Sequence, residues 1–128
     1  MVAQVRVCVV EDDDEVRESI ASFFRSAGIE VVAYRAAEEL LSSNNLAEAD
    51  FIISDLHMPG LSGLDLLREV RRRGMDVPLV IMTAFATDEA RAVADELGVS
   101  AFLCKPVDPE DLLRRIRAQR YRMRANRP

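Results

Sequence analysis

The chain has 128 residues, 49% of them hydrophobic and 30% charged, with a net charge of −5. That length supports one domain, which buries about two-thirds of its unfolded surface and needs no disulfide or metal staple. No apolar run nears the roughly 20 residues of a membrane span and no signal-peptide pattern opens the chain, so a cytoplasmic domain is expected.

An apolar run over residues 4–10 predicts a first strand that ends on Glu11-Asp12-Asp13-Asp14-Glu15. A helix is predicted over 14–27, where Val16, Ile20, Phe23, Phe24 and Ala27 recur at helical spacing and Gly28 supplies the stop. A strand over 30–34, a short helix over 37–43 and an Asn44-Asn45 turn follow. The third strand, 50–54, runs into Asp55 and a loop rich in Pro and Gly through Gly63. The next helix, 63–73, points Leu64, Leu67 and Val70 inward, and a fourth strand over 78–82 leads into Thr83-Ala84. Thr87 or Asp88 caps a helix over 88–97, and a fifth strand over 101–104 leads into Lys105-Pro106. Asp108 and Pro109 open the last helix, which buries Leu112, Leu113 and Ile116. Five such alternations predict right-handed crossovers and a parallel sheet covered on both faces. Cys8 and Cys104 fall in predicted strands and are expected as buried, reduced thiols.

Four strands therefore end on polar chemistry, at the edge where open α/β sheets hold their ligands. Lys105 is the only lysine beside sixteen arginines, which suits a place where a compact ammonium works and a planar fork does not. Glu11, Asp12 and Asp55 would form a carboxylate cluster that needs a counter-ion. Oxygen donors without His or Cys select Mg²⁺, Mn²⁺ or Ca²⁺, and Mg²⁺ is the expected ion. Read alone, the Glu11–Glu15 run is equally a solvated cap of the first helix, a role that suits Asp13, Asp14 and Glu15. Thr83 alone reads as a plain strand terminus. Asp55, directly after a buried strand, reads as a metal ligand, a base or a nucleophile. A carboxylate that attacks phosphorus gives an aspartyl phosphate. That reaction needs a divalent cation and donors on the phosphoryl oxygens, for which Thr83 and Lys105 are candidates, with Ala84 small enough to leave room.

The ordered set Glu11-Asp12, Asp55, Met58-Pro59, Gly63, Thr83-Ala84 and Lys105-Pro106 resembles the receiver domain of two-component response regulators, over about residues 4–117. The resemblance implies a flavodoxin-like doubly wound (βα)5 fold with five parallel strands in the order 2-1-3-4-5. It divides the chain into a receiver over 1–120 and a basic tail or linker start over 121–128. It implies Asp55 as phosphoacceptor, with Mg²⁺ (or Mn²⁺) held by Asp12, Asp55 and the backbone carbonyl of His57, and by Glu11 through water. Lys105 would pair with Asp55 and then with a phosphoryl oxygen, Thr83 would donate to another, and the Lys105-Pro106 bond would be cis. Phe102 takes the position of the family's switch aromatic, moving with Thr83 to alter the surface of the fourth helix, fifth strand and fifth helix. His57, Ala84 and Phe85 would line the mouth, with His57 and Phe85 setting water access. The implied partners are a sensor histidine kinase or phosphotransfer protein, a second copy on phosphorylation, and a DNA-binding output domain outside this chain. Such a protein catalyses only its own phosphorylation and dephosphorylation.

Two rival readings remain in view. A phosphatase of the haloacid-dehalogenase type also forms an aspartyl phosphate beside Mg²⁺, but it resembles Asp-x-Asp, and the second position here is His57. A flavin-binding module would need a Ser/Thr/Gly-rich loop after the first strand, where this chain is acidic. Residues 114–128 carry seven arginines and no acid, whereas residues 1–113 set ten cations against all 22 acids, a balance of −12. A global nucleic-acid-binding surface on the body is therefore not expected. The tail reads either as a solvated helix face or linker, or as a contact for nucleic acid or an acidic partner.

Overall fold

The structure, a computed structural model, describes residues 4–125, with side chains described through Gln119. Strands β1 (Arg6–Val10), β2 (Glu30–Tyr34), β3 (Phe51–Asp55), β4 (Leu79–Thr83) and β5 (Ala101–Cys104) alternate with helices α1 (Asp14–Ser26), α2 (Ala37–Leu41), α3 (Gly63–Arg72), α4 (Asp88–Glu96) and α5 (Pro109–Ala125). All strand pairs are parallel, and the sheet order is β2-β1-β3-β4-β5, as expected of a flavodoxin-like fold. Every residue of β3 and β4 is buried, which explains their unbroken apolar runs.

Two cores flank the sheet. Phe24, Ile53, Val80, Met82, Leu112 and Ile116 pack under α1 and α5. Leu40, Ile52, Leu66, Leu67, Ile81 and Phe102 pack under α2, α3 and α4. Leu66 is fully buried, whereas Leu64, expected to face inward, is only partly covered. A single 3₁₀ turn at Leu46–Glu48 buries Leu46 in a segment read from the sequence only as a turn.

The strand ends differ from expectation where hydrogen bonding decides. β3 includes Asp55 because the β3–β4 ladder continues to the Leu56 amide, which donates to the Met82 carbonyl at 2.8 Å, and β4 includes Thr83 because it pairs with Cys104 of β5. Helix α5 runs on to Ala125, so the Arg-rich end continues the last helix. Of the tail arginines, Arg114, Arg115 and Arg117 are described and the first two pair with Asp111. The side chains of Arg120, Arg122 and Arg124, and all of Arg127, lie outside the described residues, as does the tail's proposed contact.

The cysteine expectation needs correction. Cys8 is buried, but Cys104 is exposed, because it ends an edge strand that has a neighbour on one side only. Burial pushes the Cys8 thiol up to about 11. In native protein, a disulfide reagent is therefore expected to modify one thiol at pH 8–9 and the second only on unfolding. Two fast thiols in a stopped titration would contradict this burial.

Arg71 ties together elements far apart in sequence. Its guanidinium donates to the carbonyls of Met75 (2.9 Å), Val77 (3.0 Å), Leu97 (2.9 Å) and Gly98 (3.1 Å). The end of α3, the chain entering β4 and the end of α4 thus share one cation. Gly98 turns the chain there with φ +74°, a conformation that costs a residue with a Cβ.

Candidate functional site

The ladder registers bring the four strand ends to one edge. Val10 lies opposite Ser54, so Glu11 and Asp55 follow on neighbouring strands. Asp55 lies opposite Met82, and Thr83 opposite Cys104, so Thr83 and Lys105 follow in the same way. The Glu11 amide donates to the Tyr34 carbonyl at 3.0 Å, which holds this acid at the sheet's rim. Asp13 accepts from the Val16 amide and caps α1, as expected of its place in the acidic run.

Glu11, Asp12 and Asp55 each place a carboxylate oxygen within 4.8 Å of the others'. Glu11 and Asp55 are buried and Asp12 is exposed, so the cluster opens to water on the Asp12 side. Three hard donors with one open flank fit a hydrated Mg²⁺. Lys105 Nζ lies 2.7 Å from Glu11 Oε1 and 3.3 Å from Asp55 Oδ1. Burial pushes the Glu11 carboxyl up to about 7, and the charge of Asp55 adds to this, while Lys105 and the Asp13 amide oppose it. Desolvation acts to lower the Lys105 ammonium, but Glu11 and Asp55 outweigh it and hold it above its ordinary value.

A sign follows for Glu11. Its folded form keeps a proton that the unfolded chain gives up near 4.5, so its contribution to stability declines as pH rises from about 4.5 through 7. Without divalent cation, Glu11→Gln is expected to gain thermal stability over wild type across that window. Added Mg²⁺ at pH 7.5 is expected to raise the wild-type Tm and shrink the gap, and a pH-independent gap that ignores Mg²⁺ would refute this.

Thr83 is fully buried and its Oγ1 accepts from the Phe85 amide at 3.0 Å, which leaves the hydroxyl proton free to be donated. The Lys105 amide donates to the Thr83 carbonyl at 2.8 Å, and the Lys105-Pro106 bond is cis. A cavity of about 460 Å³ opens beside these groups, lined by Asp55, His57, Ala84, Phe85, Thr87 and Lys105. Phe85 stands 75% exposed at its rim. Phe102 is buried on β5 and does not line the cavity.

Three supports have roles that only the structure shows, although Gly63 itself stood in the sequence motif. Gly63 approaches β3 so closely that a Cβ there would lie 2.5 Å from the Asp55 carbonyl oxygen, so this glycine keeps α3 against the site. Ser62 and Asp65 form a reciprocal cap that fixes where α3 begins. Arg17 donates to the Glu11 carbonyl at 2.9 Å and pairs with Asp14, bracing the acidic turn. An Arg within the first two turns after an acidic run was the available signal for that brace.

A five-stranded parallel sheet in the order 2-1-3-4-5, with carboxylates, a hydroxyl and a lysine gathered on its carboxyl edge, defines a flavodoxin-like α/β domain with its site at the strand ends. The response regulator receiver domain model matches residues 7–117, and the chain belongs to that family. The transcriptional regulatory protein FixJ of Azorhizobium caulinodans is 36% identical over 112 residues, covering 88% of this chain and 53% of that protein. Nodulation protein W of Bradyrhizobium diazoefficiens is also 36% identical, over 94% of this chain and 53% of its own length. The chain thus spans about half the length of these curated relatives. Among solved structures, a response regulator receiver protein from Pseudomonas putida superposes with a TM-score of 0.84 at 32% identity, covering 92% of this chain and 99% of that one. Among the described residues, no helix is long and apolar enough to cross a membrane.

Proposed function

We propose that this chain is a cytoplasmic phosphorylation switch in which Asp55 accepts a phosphoryl group from a phosphohistidine on a sensor kinase or phosphotransfer protein. An Asp55 carboxylate oxygen attacks phosphorus, the bond from phosphorus to the histidine nitrogen breaks, and the electron pair leaves with the imidazole. Lys105 moves from Asp55 to a phosphoryl oxygen and Thr83 donates its hydroxyl to another. Mg²⁺, held by Asp12, Asp55 and the His57 carbonyl, with Glu11 acting through water, would neutralise charge on the transferring oxygens. His57, Ala84 and Phe85 admit the donor and then limit attack by water, which returns Asp55 to its free state. The chain acts on its own aspartate and does not turn over a separate substrate. The observation that carries this reading is the position of Lys105 Nζ, within 3.3 Å of a buried Asp55 that shares a metal-sized cluster with Glu11 and Asp12.

The output is proposed to act through α4, β5 and α5. Helix α4 exposes Asp88, Glu89, Asp95 and Glu96 while α5 exposes Arg114 and Arg117, a charge pattern that suits pairing with a second copy on phosphorylation. The match covers only 53% of each of these two relatives, one of them a transcriptional regulator, which supports a DNA-binding output domain outside residues 1–128. Incubation with acetyl phosphate and Mg²⁺ is expected to add one base-labile phosphate to wild type and none to Asp55→Asn, read by intact mass. An Asp55→Asn protein that still gains a phosphate would move the acceptor. Steady turnover of a generic phosphomonoester would favour the dehalogenase-type phosphatase instead.

A further inference from the structure

The Arg91 guanidinium of α4 lies over the Phe102 ring of β5, 5.1 Å from its centroid. Arg91 makes no ion pair among the described residues, so the ring is the partner its charge finds there. Phe102 is 7% exposed and packs in the core under α4, opposite Ile81 of β4. The planar cation therefore closes the outer side of a ring that the core holds from within.

From Arg91, contacts lead back to the site. The Arg91 amide donates to the Thr87 carbonyl at 3.0 Å, and Thr87 caps α4 by accepting from the Ala90 amide at 3.1 Å. Thr87 also lines the cavity over Asp55. Two residues earlier, Phe85, which also lines that cavity, donates its amide to Thr83 Oγ1 at 3.0 Å. Two residues past Phe102, Cys104 lies opposite Thr83. The path from Thr83 through residues 85–87, α4, Arg91 and Phe102 thus closes on Thr83 again.

We infer that Arg91 is a positioning residue which, by stacking on Phe102, pins α4 to β5 and so holds the 84–87 loop and the Thr83 hydroxyl ready for a phosphoryl oxygen. This rests on the phosphoacceptor reading above. Without the stack, that loop must be ordered when the phosphoryl group arrives, and binding weakens by that amount.

The test uses beryllofluoride with Mg²⁺ as the phosphoryl analogue, on the whole chain labelled with 4-fluorophenylalanine. The Phe102 resonance is assigned by its loss in Phe102→Leu. Arg91→Gln is expected to move or broaden the Phe102 resonance and to weaken beryllofluoride binding about two- to fivefold, with Arg91→Lys intermediate. In a Phe102→Leu background, Arg91→Gln is expected to change nothing further. Wild-type binding that Arg91→Gln leaves unaltered, or that it weakens equally with Phe102 absent, overturns the inference and leaves the phosphoacceptor reading standing. A wild-type protein that ignores beryllofluoride overturns both.

Discussion

Replacing Lys105 with methionine is expected to slow phosphorylation of Asp55 by acetyl phosphate about a hundredfold or more while tightening Mg²⁺ binding. The first effect is the size seen when one preorganised donor to a developing charge is removed, about 10² to 10³ in rate. The second follows from geometry. Lys105 Nζ sits 2.7 Å from Glu11 and 3.3 Å from Asp55, so it competes for oxygens that would face a divalent ion. Removing it also leaves buried Glu11 without its cation, so the metal-free variant is expected to melt lower than wild type and to gain more from Mg²⁺. Quench kinetics read by intact mass, together with calorimetric Mg²⁺ titration, separate the two. A variant that is slow and also binds Mg²⁺ more weakly would mean that Lys105 serves the fold of the site and not the transfer itself.

A second large effect is expected far from the chemistry. Arg71→Met should lower stability by about 3 kcal/mol, and the melting temperature by about 10 °C, because four carbonyls lose a charged donor at once. The sum is well below four full charged bonds, since part of each carbonyl's loss is recovered by water. Arg71→Lys keeps the charge but cannot span four acceptors with one ammonium, so it is expected to recover little. Urea melts with an unchanged slope would carry the comparison, and a loss under about 1 kcal/mol would show that water replaces the guanidinium at little cost.

The strands were legible because a parallel sheet buried on both faces leaves uninterrupted runs such as Phe51-Ile52-Ile53-Ser54, and the helices because Gly28, Gly74 and Gly98 end them visibly. The gathering of Glu11, Asp55, Thr83 and Lys105 was legible too, since each directly follows or ends a strand and the topology brings those ends together. What escaped depends on distances across the chain. Arg71 looks like one of three consecutive arginines, and only the fold shows that it gathers four carbonyls, two of them 26 and 27 residues away, where Arg73 reaches one and Arg72 pairs with Glu69. The exposure of Cys104 depends on β5 being an edge, which no local pattern encodes. The stack of Arg91 on Phe102 joins a helix to a strand eleven residues on, and the sequence around Arg91 reads as an ordinary solvated face.

The strand order has a mechanical consequence. Asp55 stands on β3, flanked by β1 and β4, while Thr83 and Lys105 stand on or just after strands progressively nearer the open side of the sheet. A push delivered at the stiff middle would therefore find, on the Thr83 and Lys105 side, an edge strand of four residues with a single neighbour to release. The molecule is anvil at its centre and hinge at its margin, so charge added at Asp55 would do its bending where the least must break.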